Sequence, residues 1–168
     1  MEKIVILSDT HNNQKLFRQG LQNETGVKHV FHLGDNYEDL NDNFDLTENV
    51  IIHRVPGIFH PRYSDKTLPS SLDIDILGWK LILVHDIKDS VNKREGRDII
   101  FYGHTHKATF YEKNNKYYLN PGHLKKEFDR GIKASYAVME IDENKISIKF
   151  KYVDGIVFQE NFISRKGQ

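Results

Sequence analysis

The sequence predicts a layered α/β fold in one domain spanning residues 1–168. Continuous apolar runs such as Ile4-Val5-Ile6-Leu7 end in polar residues, as strands buried on both faces do. A helix-spaced segment separates the first two runs, giving the strand, helix, strand order of a parallel unit. From residue 106 onward, alternating segments joined by short Asn- and Asp-containing turns read as antiparallel strands.

Taken in order, Lys3–Leu7 is a buried strand that empties into Ser8-Asp9-Thr10. Asn12 or Asn13 caps the helix that follows, whose Leu16, Phe17, Gly20 and Leu21 recur at helical spacing until Gly26. Val27–Leu33 and Asn49–Val55 are the next strands, ending in Gly34-Asp35-Asn36 and Pro56-Gly57. The stretch from Pro56 to Ser70 holds three of the four prolines and reads as irregular. Ser71–Leu77 alternates with period two, Lys80–Val84 is solidly apolar and ends at His85, and Asp98–Tyr102 repeats that design and ends at Gly103-His104. Thr109–Glu112, Lys116–Leu119, Tyr136–Ile141 and Lys145–Tyr152 complete the strands, and Ser164–Gln168 reads as a frayed tail.

Composition excludes several function classes. Twenty-four basic residues balance twenty-four acidic ones, so no global charge calls for nucleic acid or an anionic membrane. Without cysteine there is no disulfide framework, thiolate ligand or catalytic thiol, and a metal would be held by His, Asp, Glu or Asn. The apolar run at the N-terminus is too short for a signal peptide and no stretch reaches membrane-spanning length, so the expectation is a cytoplasmic protein without membrane contact. Phosphate-loop, dinucleotide and zinc-protease motifs are missing. Asp39-x-Asn41-x-Asn43 begins like a calcium loop, but Phe44 and Val50 stand where Gly and Glu are required.

Four apolar runs end in metal-capable residues: Asp9 and His11, Asp35 and Asn36, His85 and Asp86, and His104 and His106. In open α/β sheets the carboxyl ends of neighbouring strands share one edge, so these residues converge on one crevice. Mixed carboxylates and imidazoles suit Mn, Fe, Ni or Zn better than Ca or Mg. His29, His32 and His53 fall inside strands and are assigned no chemistry, and Trp79, Phe101 and Tyr102 read as core or sheet surface.

These residues form a familiar set. Ser8-Asp9-Thr10-His11 resembles the Asp-x-His box of calcineurin-like metallophosphoesterases, Leu33-Gly34-Asp35 their Gly-Asp box, and Gly103-His104-Thr105-His106 their Gly-His-x-His box. Asn120-Pro121-Gly122 resembles a segment of the small members that include the YfcE-like phosphodiesterases. The resemblance implies a four-layer α-β-β-α sandwich with two divalent metal ions, Mn first among them. Asp9, His11 and His106 would hold the first ion, Asp35 would bridge, and His85 and His104 would hold the second. The implied reaction is hydrolysis of a small phosphodiester or phosphomonoester by a metal-activated water.

The chain departs from the family at Gly57-Ile58-Phe59-His60, where an Asn ligand of the second metal is usual. Ile58 offers no lone pair, and Phe59 removes an imidazole that larger relatives place beside the leaving group. His60 either replaces the Asn as a ligand or is a loop residue before Pro61. Asp86 reads as a cap of the next segment or as a partner of an imidazole, and His123 as a loop residue or a phosphate contact. The alternative to an enzyme is a scaffold, because a eukaryotic retromer subunit of this superfamily keeps the fold without phosphatase competence. Nuclease relatives are much longer and carry DNA-binding elements. A homodimer through an edge strand at Phe110-Tyr111 or Tyr117-Tyr118 is a further expectation.

Overall fold

The protein is described from a computed structural model that covers residues 1–93 and 95–165. Its strands and helices in chain order are β1 (Glu2–Leu7), α1 (Gln14–Gln22), β2 (His29–His32), the short α2 (Asp39–Asp42) and α3 (Phe44–Thr47), and β3 (Ile51–Arg54). They continue with α4 (Pro61–Ser64), β4 (Ser71–Ile76), β5 (Trp79–Val84), a 3₁₀ segment (Ile87–Lys93), β6 (Ile99–Phe101), β7 (Thr109–Lys113) and β8 (Lys116–Asn120). The two-residue strands β9 (Phe128–Asp129) and β10 (Ile132–Lys133) precede β11 (Ser135–Ile141), β12 (Lys145–Tyr152) and β13 (Val157–Ser164).

The strands form two large sheets, β13-β12-β11-β1-β2-β3 and β4-β5-β6-β8-β7, with β9 and β10 as a separate hairpin. Side-chain parity explains why the first strands read as unbroken apolar runs. Ile4 and Ile6 of β1 join Phe31, Leu81, Leu83, Ile99, Phe101, Ala137 and Met139 in a core between the sheets. Val5 and Leu7 turn the other way, under Leu16, Phe17 and Leu21 of α1. On the far face of the second sheet, Ile82, Val84 and Ile100 pack with Ile87 of the 3₁₀ segment. The layers are therefore helix, sheet, sheet and a thin helical cover, the expected sandwich. α1 starts where a cap was expected, with Asn13 accepting from Leu16 N at 3.1 Å.

Three expectations need correction. β8 pairs with β6 in parallel, so the part of the chain read as antiparallel pairs antiparallel among its own strands only within β7–β8, β9–β10 and β11–β13. Tyr117 and Tyr118 lie on β8, an interior strand, and only Phe110 and Tyr111 lie on an edge strand, β7. At the tail, Ser164 closes β13 and the Arg165 guanidinium lies 4.6 Å from the Trp79 ring centroid; residues 166–168 are outside the described residues. α2, α3 and β13 were not anticipated, because their sequences carry weak periodicity and owe their form to what they pack against.

β1, β2 and β3 run parallel, as do β5, β6 and β8. Their carboxyl ends open on the same side of the sandwich, and the loops that follow them build the site.

Candidate metal centre

The loop residues adopt an uncommon backbone. Asp9, His11, Asp35, His104 and His106 all have φ between 47° and 66°. A left-handed conformation in non-glycine residues costs free energy and gathers where geometry is held for function. Asp, Asn and His tolerate it best, and these loops use those residue types.

One carboxylate or imidazole atom from each of Asp9, His11, Asp35 and His106 lies within 4.8 Å of the others. His11 Nε2 is 3.1 Å from Asp35 Oδ2 and 3.1 Å from His106 Nε2, and His106 Nε2 is 3.5 Å from Asp9 Oδ1. Asp9 is fully buried. Burial pushes its carboxyl well above the usual carboxylate range, against the Ser8 hydroxyl, which donates at 2.6 Å, and the His104 backbone N–H, which donates at 3.0 Å. Burial also lowers the His11 imidazole, which favours the uncharged form that carries a free lone pair. Two imidazole nitrogens and two carboxylates converging in this way form a donor set that fits a divalent cation of the Mn to Zn series.

On the other side of Asp35, His85 Nε2 is 3.4 Å from Asp35 Oδ1. Its Nδ1–H donates to Leu33 O at 2.7 Å, so Nε2 carries the lone pair, and that fully buried nitrogen has no hydrogen-bond partner. A buried lone pair aimed at a carboxylate oxygen is a donor arrangement that fits a divalent cation. The His104 ring sits 5.2 Å from that of His85. Asp35 is thus flanked by imidazoles on both of its oxygens. Two glycines make the crowding feasible: a Cβ on Gly34, whose φ is 101°, would meet His85 Nδ1 at 2.6 Å, and one on Gly57 would run into the Asp35 carboxylate.

His60 lines the same cleft as His11 and Asp35 but is engaged elsewhere. Its Nδ1 accepts from Arg62 N at 3.2 Å, capping α4, and its Nε2 is 3.2 Å from Glu38 Oε1. Phe59, 84 % exposed, stands at the rim of the cleft. Asp86 accepts from Lys88 N at 3.0 Å, the capping role. His123 is buried, with Nδ1 accepting from Lys125 N at 3.3 Å and Nε2–H donating to Ile132 O at 3.1 Å, so it braces a loop.

Three residues to which the sequence analysis gave no role support the site. Asp129 accepts from His106 Nδ1 at 2.8 Å, and that bond holds its carboxyl down at about 2. Asn120 donates to Gly103 O at 2.8 Å and accepts from Gly122 N at 2.9 Å, tying the His104–His106 loop to the Asn-Pro-Gly turn. Asp39, on α2, accepts from the Thr10 hydroxyl and lies 3.1 Å from His32 Nε2, while His32 Nδ1 accepts from Gly34 N at 3.3 Å. A buried polar network therefore runs behind both the Asp9 and Asp35 loops. The Asn-Pro-Gly motif marked Asn120; no local pattern marked Asp39 or Asp129.

A two-sheet sandwich with Asp and His side chains gathered at its strand ends is the arrangement set beside known proteins, and these identify its fold. Residues 2–144 match the calcineurin-like phosphoesterase superfamily domain, and the chain belongs to that family. It is 26 % identical over 137 residues to a protein named phosphodiesterase MJ0936 of Methanocaldococcus jannaschii, covering 71 % of this chain and 82 % of that one. A conserved Streptococcus pneumoniae TIGR4 protein, described as a predicted phosphoesterase, superposes with a TM-score of 0.73 at 26 % identity over 98 % of both chains. The phosphoesterase YfcE of E. coli shares the fold, with a TM-score of 0.72 at 16 % identity over 95 % of this chain and 98 % of that one. So does vacuolar protein sorting 29 of Cryptosporidium parvum, at 0.73 and 22 % over 98 % of both chains. Among the described residues no helix is long and apolar enough to cross a membrane.

Proposed function

We propose that this chain is a metal-dependent phosphoesterase that hydrolyses a small phosphodiester in preference to a phosphomonoester. The observation that carries the reading is the placement of Asp35 between two sets of imidazoles, with His11 Nε2 at 3.1 Å on one oxygen and His85 Nε2 at 3.4 Å on the other. In this reading Asp9, His11 and His106 would hold one cation, His85 and His104 a second, and Asp35 would serve both, with Mn the first candidate. When bound, such a pair supplies the Lewis acidity that acidifies a water and neutralises phosphoryl oxygens.

The chain's own residues set the rest. Asp9 is kept in place by Ser8 and the His104 N–H. The cleft of about 300 Å³ lined by His11, Asp35, Asn36, Glu38, Phe59 and His60 accommodates a small ester. Glu38, half exposed at the cleft, repels a dianionic monoester more than a monoanionic diester. Phe59 is no proton donor, so the leaving group departs best when it is already a good one. His60, held by Arg62 N and Glu38, is left out of the ligand set.

Ile58 in place of the usual Asn supports the second reading, a scaffold of this fold, which the likeness to vacuolar protein sorting 29 also favours. The test strips the protein with chelator, reloads it with Mn²⁺, counts metal per chain, and assays bis-p-nitrophenyl phosphate beside p-nitrophenyl phosphate. Two metals with diester turnover are expected. No bound metal and no hydrolysis of either ester would transfer the case to the scaffold.

A further inference from the structure

We infer that Asp129 is a positioning residue for the metal centre, because its carboxylate accepts the His106 Nδ1 hydrogen bond and so aims His106 Nε2 at Asp9 and His11. The inference rests on the metal-centre reading above and concerns a residue outside every motif that led to it.

Asp129 is 3 % exposed, and its Oδ2 lies 2.8 Å from His106 Nδ1. A neutral imidazole carries one proton, so placing it on Nδ1 leaves the lone pair on Nε2. That nitrogen is 3.1 Å from His11 Nε2 and 3.5 Å from Asp9 Oδ1, the positions from which a shared cation would be held. Without the acceptor the ring is free to take the other tautomer, which puts a proton where the ligand atom should be. Carboxylates that receive the distal N–H of a metal-binding histidine strengthen that ligand and fix its plane.

The carboxylate is itself fixed. Asp129 sits on β9, paired with Ile132 of β10 across a turn in which Arg130 and Gly131 have φ of 51° and 80°. The base of this hairpin is closed by Ala134 N donating to Glu127 O at 2.8 Å, and His123 holds it through Ile132 O at 3.1 Å. The other oxygen, Oδ1, has Lys126 Nζ at 3.4 Å and Lys125 Nζ at 4.0 Å. Those lysines are more exposed than Asp129, so solvent can serve them; the buried Oδ2 serves His106. A segment dense in basic residues, Lys125, Lys126 and Arg130, thus carries the carboxylate that orients a ligand.

The test uses the full chain. Long-range ¹H–¹⁵N spectra of the metal-free protein report the His106 tautomer, and calorimetric titration with Mn²⁺ alone reports affinity. Wild type should show the Nδ1–H tautomer. Asp129→Ala should lose it and bind Mn²⁺ about 10–100-fold more weakly. Asp129→Asn, which keeps the shape and one acceptor oxygen, should fall between them and carries the test if the alanine variant does not fold. Lys126→Ala should match wild type in both readouts. Wild-type tautomer and wild-type affinity in the Asp129 variants would overturn the inference alone, whereas a wild-type chain that takes up no Mn²⁺ overturns the metal reading and the inference with it.

Discussion

Gly57 and Asp9 show what the site demands of single residues. Any Cβ on Gly57 collides with the Asp35 carboxylate and approaches Asp35 N at 2.7 Å, so the backbone must move or the carboxylate must turn away. Gly57→Ala should lower Mn²⁺ affinity at least tenfold while costing about 1–3 kcal/mol of stability, the usual range for overpacking. Isothermal titration and urea unfolding check both. Asp9 acts in the opposite sense. Burial raises its folded pKa, so above the unfolded value of 3.8 its ionised form takes stability away from the metal-free protein. Asp9→Asn should therefore make the metal-free protein more stable at pH 7, seen as a higher urea midpoint, while abolishing metal binding and hydrolysis. An Asn variant that is less stable and still active would contradict the assignment.

At the scale of elements, β2 and β3 carry a pH dependence separate from the site. His53 on β3 stacks on His29 of β2, with ring centroids 5.3 Å apart and the nearest ring nitrogens 3.1 Å apart. Burial, with a smaller contribution from His29, lowers His53 to about 4. Between its ordinary 6.5 and about 4 the unfolded chain binds a proton that the folded His53 does not, so this contribution is complete above pH 6.5 and is lost as pH falls towards 4. Allowing for partial solvent screening, the loss is roughly 1–2 kcal/mol. Urea midpoints at pH 7 and pH 5 should differ more in metal-free wild type than in His53→Asn, and an equal difference would reject the argument.

Across the whole molecule, stability is concentrated between the sheets. Phe31 of β2 meets Phe101 of β6 edge to face at 5.3 Å, both fully buried. Phe101→Ala should cost about 3–5 kcal/mol, seen as a lower urea midpoint. Because the proposed ligands come from loops after four strands of both sheets, metal binding acts on the assembled fold alone. Free Mn²⁺ at a hundred times its Kd should add about 2.7 kcal/mol, which for a chain of 168 residues is roughly 5–10 °C in Tm. The same addition should leave Asp9→Asn unmoved.

Much of this protein is legible along the chain. β1, β2, β5 and β6 declare themselves because strands buried on both faces need apolar residues at every position, and Asp9, Asp35, His85 and His104 follow such runs directly. α1 declares itself through its cap and spacing. What stayed hidden needs partners distant in sequence. α2 and α3 are four residues each and mostly polar, and Asp39 is buried only because Thr10, Gln14 and His32 surround it. β13 is an edge strand with half its face in solvent, so its period is blurred. Asp129 lies among Lys125, Lys126 and Arg130, and as sequence it is one more surface charge. The side-chain types and strand ends behind the proposed metal centre were set by sequence alone, since they depend on local chemistry and burial. Which carboxylate orients which imidazole, and that His60 turns to Glu38, was decided by tertiary structure, because hydrogen-bond direction is a property of the assembled loops.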